Sequence, residues 1–277
     1  MTTISVVIPT YNRRDLVLRA LDSVTRQTRS PEEIIVIDDG SEDGTSAAIA
    51  RQYPNVNLIS QANRGVSAAR NAGIKLASST WIALLDSDDS WHEEKLEKQI
   101  ELAAITPEAQ LIHCDEHWVR NGQALNQKAY HRKSGGDIFE VSLQRCMISP
   151  SAALITRNLL LDTGLFDENL PACEDYDLWL RICSQHEVAF VDEKLVTKFG
   201  GHPDQLSKRI WGLDRFRIRA LAKLLLSGSL NETQAALANS VMQNKTRIFT
   251  QGAAKRGNSR EAQVLSQLSS KVARLCQ

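Results

Sequence analysis

Apolar and polar positions alternate in blocks along this chain, and the period of the blocks changes. Ile4 to Pro9 reads ISVVIP, a short β-branched apolar run. Such a run predicts a strand buried on both faces, as in a parallel sheet. Asp15 to Val24 switches to helical spacing, with Leu16, Ala20, Leu21 and Val24 on one side. Glu33 to Asp39 (EIIVIDD) is a second buried strand that stops in Asp38-Asp39-Gly40-Ser41, a turn signal. A helix over Gly44 to Gln52, a short strand over Asn57 to Ser60 and a helix over Gly65 to Ala77 follow. In the last of these Gly65, Ala69, Ala72 and Gly73 share one face, so the helix can lie close against a sheet.

Trp81 to Leu85 (WIALL) is another buried strand, ending at Asp86-Ser87-Asp88-Asp89. Trp91 to Ala104 has amphipathic helical spacing, and Ala109 to Cys114 reads as a strand. This β-α-β-α-β order with short connections predicts a Rossmann-like, doubly wound α/β sheet with mostly parallel strands. Asp115 to Arg145 is less regular, contains Gly135-Gly136 and reads as an acceptor-side insertion or loop. Ser151 to Thr156 is strand-like, Glu174 to His186 helical and Val188 to Val191 a strand. From Lys208 the periodicity is helical to the end, with Gly228 and Gly252 as expected breaks. The division expected is a nucleotide-binding and catalytic domain over 1–207 and a C-terminal helical segment over 208–277.

Composition narrows the function classes. The 33 basic and 33 acidic residues of the 277-residue chain cancel, which gives no support to a nucleic-acid binder. Five scattered cysteines with no C-x-x-C pair read as free thiols in a reducing compartment. Met1-Thr2-Thr3 runs straight into a strand, without the features of a signal peptide, and no apolar run reaches bilayer length. A cytoplasmic protein is expected, with contact at a membrane surface left open.

The acidic residues follow strands. Asp38-Asp39 and Asp86-Ser87-Asp88-Asp89 each end a buried strand, and in an open parallel sheet the carboxyl ends of strands line the ligand crevice. Carboxylates packed together repel unless a cation joins them, and oxygen ligands suit Mg²⁺ or Mn²⁺. The bland alternative is turn and helix capping. It serves well enough for D-D-G-S, but three carboxylates in four residues exceed what a cap requires.

Five stretches carry a resemblance. ISVVIPTYNR at 4–13, EIIVIDDGSEDGT at 33–45, NRGVSAARNAG at 63–73, LLDSDDSW at 84–91 and EDYDLWLR at 174–181 occur in an order and spacing that resemble the family-two glycosyltransferases of GT-A fold. The resemblance implies that Pro9, Thr10, Tyr11 and Asn12 touch the nucleotide and that Asp39 bonds the uracil. It also implies that Arg70 lies near base or phosphates, that Asp86 contacts ribose or sugar and that Asp88 binds the metal, with Asp89 able to share either task. Of the pair Glu174-Asp175, Asp175 is the implied catalytic base. The implied reaction is inverting transfer from a nucleotide-sugar, a UDP-sugar by expectation, to a saccharide or lipid-linked saccharide in surface polysaccharide or lipopolysaccharide assembly.

The chemistry asks for such roles. A cation stabilises negative charge growing on a departing diphosphate, and a carboxylate on the opposite face of the sugar takes the acceptor proton. Against this, Glu174 and Asp175 open a helix, where acidic residues also serve as caps and where the dipole weakens a base. His202 is a candidate second metal ligand or an ordinary loop histidine. Trp91, Trp179 and Trp211 can stack on sugars, though Trp179 is expected in the core. Arg215, Arg219 and Lys223 lie at i+4 steps, opposite Leu213, Phe216, Ala220 and Leu224. The expected outcome is packing of the apolar stripe on the domain, with membrane binding as the alternative.

Other classes fit less well. A nucleotidyltransferase would carry a Gly-rich loop where Pro9-Thr10-Tyr11-Asn12 stands, and a dinucleotide-binding oxidoreductase would carry G-x-G-x-x-G there. A non-catalytic nucleotide-sugar-binding module would have broken acidic motifs. The Q-x-x-R-W signature of processive synthases is absent, so one sugar per encounter is expected.

Overall fold

The strand-forming runs assemble into one curled sheet. The structure is a computed structural model that describes residues 2–201 and 210–275. His202, the candidate second metal ligand, and Cys276 lie outside the described residues. The strands are β1 (Ile4–Thr10), β2 (Glu33–Asp38), β3 (Asn57–Ser60), β4 (Trp81–Leu84), β5 (Ser90–Trp91), β6 (Leu111–Arg120), β7 (Gln123–Leu125), β8 (Leu154–Thr156) and β9 (Ala189–Gly200). Their order is β3-β2-β1-β4-β8-β6-β9-β5, with β7 hairpinned onto β6. β1 pairs in parallel with both β2 and β4, β2 with β3, and β6 with β9. Because β8 is antiparallel to both β4 and β6, those two point the same way. Most strands therefore share one direction, and the carboxyl ends of β1, β2, β4 and β9 share one edge. This is the expected α/β architecture of GT-A type. The chain order reverses beside β1, which is where an open sheet leaves a crevice.

Helices α1 (Arg14–Thr25), α2 (Thr45–Gln52), α3 (Val66–Leu76), α4 (Lys95–Ile105), α5 (Phe139–Gln144), α6 (Arg157–Thr163) and α7 (Glu174–Cys183) cover the sheet. α8 (Asp214–Leu226), α9 (Glu232–Lys255) and α10 (Ser259–Leu275) follow. α3 lies flat on the sheet because its contact face is small. A Cβ on Gly73 would run into the Val7 side chain. Ile218, Leu221, Leu224, Phe249 and Val272 of the last three helices join one apolar cluster with Val7, Ile35 and Leu178. Trp179 belongs to that core and is 1% exposed.

The structure differs from the periodicity in several places. Trp91 is the end of β5 and the helix begins at Lys95, because Trp91 pairs with Val196 across the sheet and buries its ring. β6 continues to Arg120 and β9 to Gly200. Their polar outer halves broke the apolar pattern but pair with each other, after a bulge at Asp115. The irregular segment from Asp115 holds this half of β6, then β7 and α5. α6 was not expected. Gly252 lies inside α9, and the break falls instead at Gly257, whose φ is +74°.

Candidate active site

Three loops at the carboxyl edge are laced together by hydrogen bonds. Asn12, itself at φ 50°, donates its backbone N–H to Ser41 Oγ at 2.8 Å and accepts from Glu42 N–H at 2.8 Å through Oδ1. This ties the loop after β1 to the loop after β2. Asp39 is buried and accepts from Gln61 Nε2, Arg64 N–H and Gly65 N–H at 2.7, 3.0 and 2.8 Å. It therefore fixes the entry to α3. Asp38 accepts from Ser41 N–H and from Ser46 Oγ, which is the turn-forming role. Thr10 is buried with its Oγ1 unpartnered, and Tyr11 is exposed.

A cleft of about 320 Å³ opens beside these loops. Pro9, Arg70, Asp86, Asp88, Asp89, Glu174 and Asp175 all line it. Thus seven of the sequence candidates, drawn from β1, α3, the loop after β4 and α7, converge. Thr10, Tyr11, Asn12 and Asp39 do not line it and form the adjoining loop cluster.

Arg70 organises the floor. Its guanidinium is 4% exposed and donates Nη1 to Glu174 Oε1 at 2.7 Å and Nη2 to Asp86 Oδ1 at 2.6 Å. The bond joins the start of α7 to the end of β4. Burial would lower the Arg70 pKa, but Asp86 and Glu174 raise it further than burial lowers it. Burial would push Asp86 up, yet Arg70, with Lys198 and Arg13 behind it, holds it below the usual carboxylate range. Glu174 is shifted up by burial, with Asp175 beside it adding repulsion against the pull of Arg70.

The aspartates after β4 divide their work. Asp88 pairs with Arg13 at 3.1 Å and keeps part of its carboxylate open to the cleft. Arg19 donates to the Asp88 carbonyl at 2.6 Å while stacking over Phe199. Asp89 is buried, accepts from Ser151 Oγ at 2.6 Å and from Phe199 N–H at 3.3 Å, and is pushed up to about 8 by burial. Asp88 and Asp86 add to that rise and Lys198 opposes it. Asp89 thus serves as a brace between β4 and β9.

Asp175 is partly exposed to the cleft. Its Oδ1 accepts from Tyr176 N–H at 2.7 Å, and its Oδ2 lies 3.3 Å from the Cys146 Sγ donor. Burial, then the charge of Asp175, pushes the Cys146 thiol well up, which keeps it a donor. Among the described residues no group of three or more His, Cys, Asp or Glu side chains forms a metal cage. An open carboxylate such as Asp88 nevertheless suits Mg²⁺ or Mn²⁺, which complete their shells with substrate phosphates and water.

Residues 5–162 match the family model described as Glycosyl transferase family 2, more than half of the chain.

The chain belongs to glycosyl transferase family 2.

Relatives agree with this placement. An uncharacterized glycosyltransferase of Rickettsia conorii is 34% identical over 198 residues, covering 70% of this chain and 32% of its own. One from Bacillus subtilis is 32% identical over 190 residues, 67% of this chain and 69% of its own. The chondroitin synthase of Escherichia coli is 29% identical over 65% of this chain and 26% of its own. The chain spans about a third of the length of the Rickettsia conorii relative. Among solved structures, S. aureus TarS 1-349 in complex with UDP-GlcNAc superposes with a TM-score of 0.70 at 20% identity. That match covers 87% of this chain and 70% of TarS 1-349. The Pyrobaculum calidifontis mannosyltransferase PcManGT, in complex with GDP-Man and Mn²⁺, gives 0.57 at 19% identity, covering 98% and 80%. At those identities the likeness speaks for the fold.

Several cleft residues of this family member escaped sequence reasoning. Arg13 was visible as the last letter of ISVVIPTYNR but carried no separate signal. Cys146, Lys198 and Arg217 had none, since each reaches the cleft through long-range packing. The basic positions of α8 are used internally. Lys223 pairs with Asp167 and Asp177, Arg219 with Glu261, and Arg215 lies over Phe216. No described helix is long and apolar enough to cross a membrane.

Proposed function

We propose that this chain is an inverting glycosyltransferase that moves a sugar from a UDP-sugar to a hydroxyl of a saccharide or lipid-linked saccharide, in the assembly of a cell-surface polysaccharide or lipopolysaccharide. The observation that carries it is the shared cleft. Asp88 and Asp175 line one pocket, and Arg70 ties Asp86 to Glu174 across its floor. The two TarS and PcManGT structures hold a UDP-sugar and a GDP-sugar with Mn²⁺, and their common fold supports a nucleotide-sugar in this cleft.

In this reading Pro9 to Asn12 and Asp39 shape the nucleoside end, where the laced loops leave backbone groups at the carboxyl edge. Asp86, oriented by Arg70, contacts ribose or sugar. Asp88 would hold Mn²⁺ or Mg²⁺, with His202 as a further ligand. That ion, when bound, supplies Lewis-acid stabilisation of the leaving diphosphate. Asp175 takes the proton from the acceptor hydroxyl as that oxygen attacks the anomeric carbon and the bond to the diphosphate breaks. One base and one displacement invert the centre. The Cys146 thiol and the Tyr176 N–H hold the Asp175 carboxylate in place. Residues 1–207 form the donor and catalytic unit, and 208–277 contribute Leu213 and Arg217 to the cleft wall. A peripheral site at the inner face of the membrane suits a lipid-linked acceptor.

Calorimetric titration of UDP, with and without Mn²⁺, tests the donor half. Wild type is expected to bind more tightly with Mn²⁺, and Asp88→Ala to lose that gain. Asp175→Asn is expected to bind UDP normally while losing about 10²-fold or more in transfer. Absence of UDP binding under both conditions would sink the UDP assignment.

A further inference from the structure

Cations line the cleft beside the carboxylates, and most are already engaged. Arg70 spends both terminal nitrogens on Asp86 and Glu174. Arg13 pairs with Asp88, and Arg217 with Asp214 at 3.0 Å. Lys198 differs. It sits near the carboxyl end of β9, lines the cleft, and has no carboxylate within 4.0 Å among the described residues.

The carboxylates around it are satisfied by other groups. Glu116 is buried against Lys133 Nζ at 2.6 Å and accepts from Ser149 Oγ. Asp86 has Arg70, Asp89 has Ser151 and Phe199, and Asp175 has Cys146 and Tyr176. Burial of Lys198 would lower its pKa. Glu116, Asp89, Asp86 and Asp175 act from a distance in the opposite direction and prevail, so the ammonium stays charged. Lys198 is half-buried, and taking part of an ammonium's water away without a direct partner carries a cost. Here that cost is offset by the surrounding field, while all three N–H donors stay available to the cleft.

We propose that Lys198 is a ligand for the diphosphate of the donor, placed between the aspartates after β4 and Asp175. An ammonium is a compact point charge that suits phosphate oxygens. β9 runs parallel to β6 and ends on the same edge as β1, β2 and β4, so the lysine projects where the crevice is open. Asp89 braces the position, because it accepts from the N–H of Phe199, the next residue. The bound diphosphate takes up the donors that no protein carboxylate occupies. The leaving group then meets a fixed positive charge that belongs to the chain itself.

This inference rests on the nucleotide-sugar reading, and one set of titrations separates the two. UDP, UMP and uridine are titrated in the presence of chelator into wild type, Lys198→Gln and Lys198→Arg. In Lys198→Gln the affinity for UDP is expected to fall by roughly tenfold or more, as for loss of a charge-assisted hydrogen bond. Uridine affinity is expected to stay unchanged, which also shows that the variant is folded. Lys198→Arg is expected to recover most of the loss. Unchanged UDP affinity in Lys198→Gln overturns the proposal, as does an equal loss for UDP and uridine, which marks a structural lysine. A wild-type protein that binds neither UDP nor GDP, with or without Mn²⁺, removes the donor reading itself.

Discussion

Arg70 illustrates how one side chain sets a site. Its flat fork matches two carboxylates at once, and its ring-facing side lies 5.0 Å from the Phe166 ring centre. A lysine there could not hold both ends. His113 shows the opposite case, a titratable group kept neutral. It is fully buried on β6, and Nε2 donates to the Ser134 carbonyl at 2.9 Å while Nδ1 has no partner. Burial, then the charge of Lys133, pushes it down to about 3. The unfolded chain binds a proton near pH 6.5, so between about 6.5 and 3 the unfolded state holds more protons than the folded one. Stability attributable to His113 is therefore full above that window and lost as pH falls through it. Urea unfolding at pH 7 and pH 5 is expected to show a smaller drop for His113→Phe than for wild type. Equal drops would exclude the histidine as an acid-sensitive element.

At the scale of elements, α3 packs closely on β1. Ala69 and Gly73 face the sheet, and Gly73 meets Val7 with no room for a methyl group. Gly73→Val is expected to destabilise the fold by about 1–3 kcal/mol, the usual range for overpacking. Because α3 carries Arg70, the same change should weaken nucleotide binding. Paired denaturant melts and UDP titrations would check both. An unaltered melt would mean that α3 can shift without cost. The small-residue face of α3 was plain in the sequence, as were β1 and the two strands with acidic ends, β2 and β4. The outer halves of β6 and β9 were not. Glu116, His117 and Lys198 break an apolar alternation, and only cross-strand pairing explains why they are extended.

Across the whole molecule, the last three helices are built into the core. Leu178 and Ile182 of α7 share an apolar cluster with Ile218, Leu221 and Leu224 of α8. The helix that carries Glu174 and Asp175 is thus backed by α8. A chain truncated after Leu213 would expose this surface. It is expected to lose cooperative melting and to bind hydrophobic dye, measured against the full-length protein. A truncated chain that melts at the same temperature would show residues 1–213 to be self-sufficient.

The sequence by itself determined the α/β class, the strands that end in acidic turns, and the clusters Asp86-Ser87-Asp88-Asp89 and Glu174-Asp175. These are local properties, since side-chain period, β-branching and turn chemistry act over a few residues. It also carried enough family pattern to mark Arg70, Asp88 and Asp175. The tertiary structure alone decided that Arg70 bridges Asp86 to Glu174, that Asp89 braces β9, and that Lys198 faces the cleft. Those relations join residues far apart in the chain, and their energies depend on burial and on the sum of many charges. No window of sequence contains that sum.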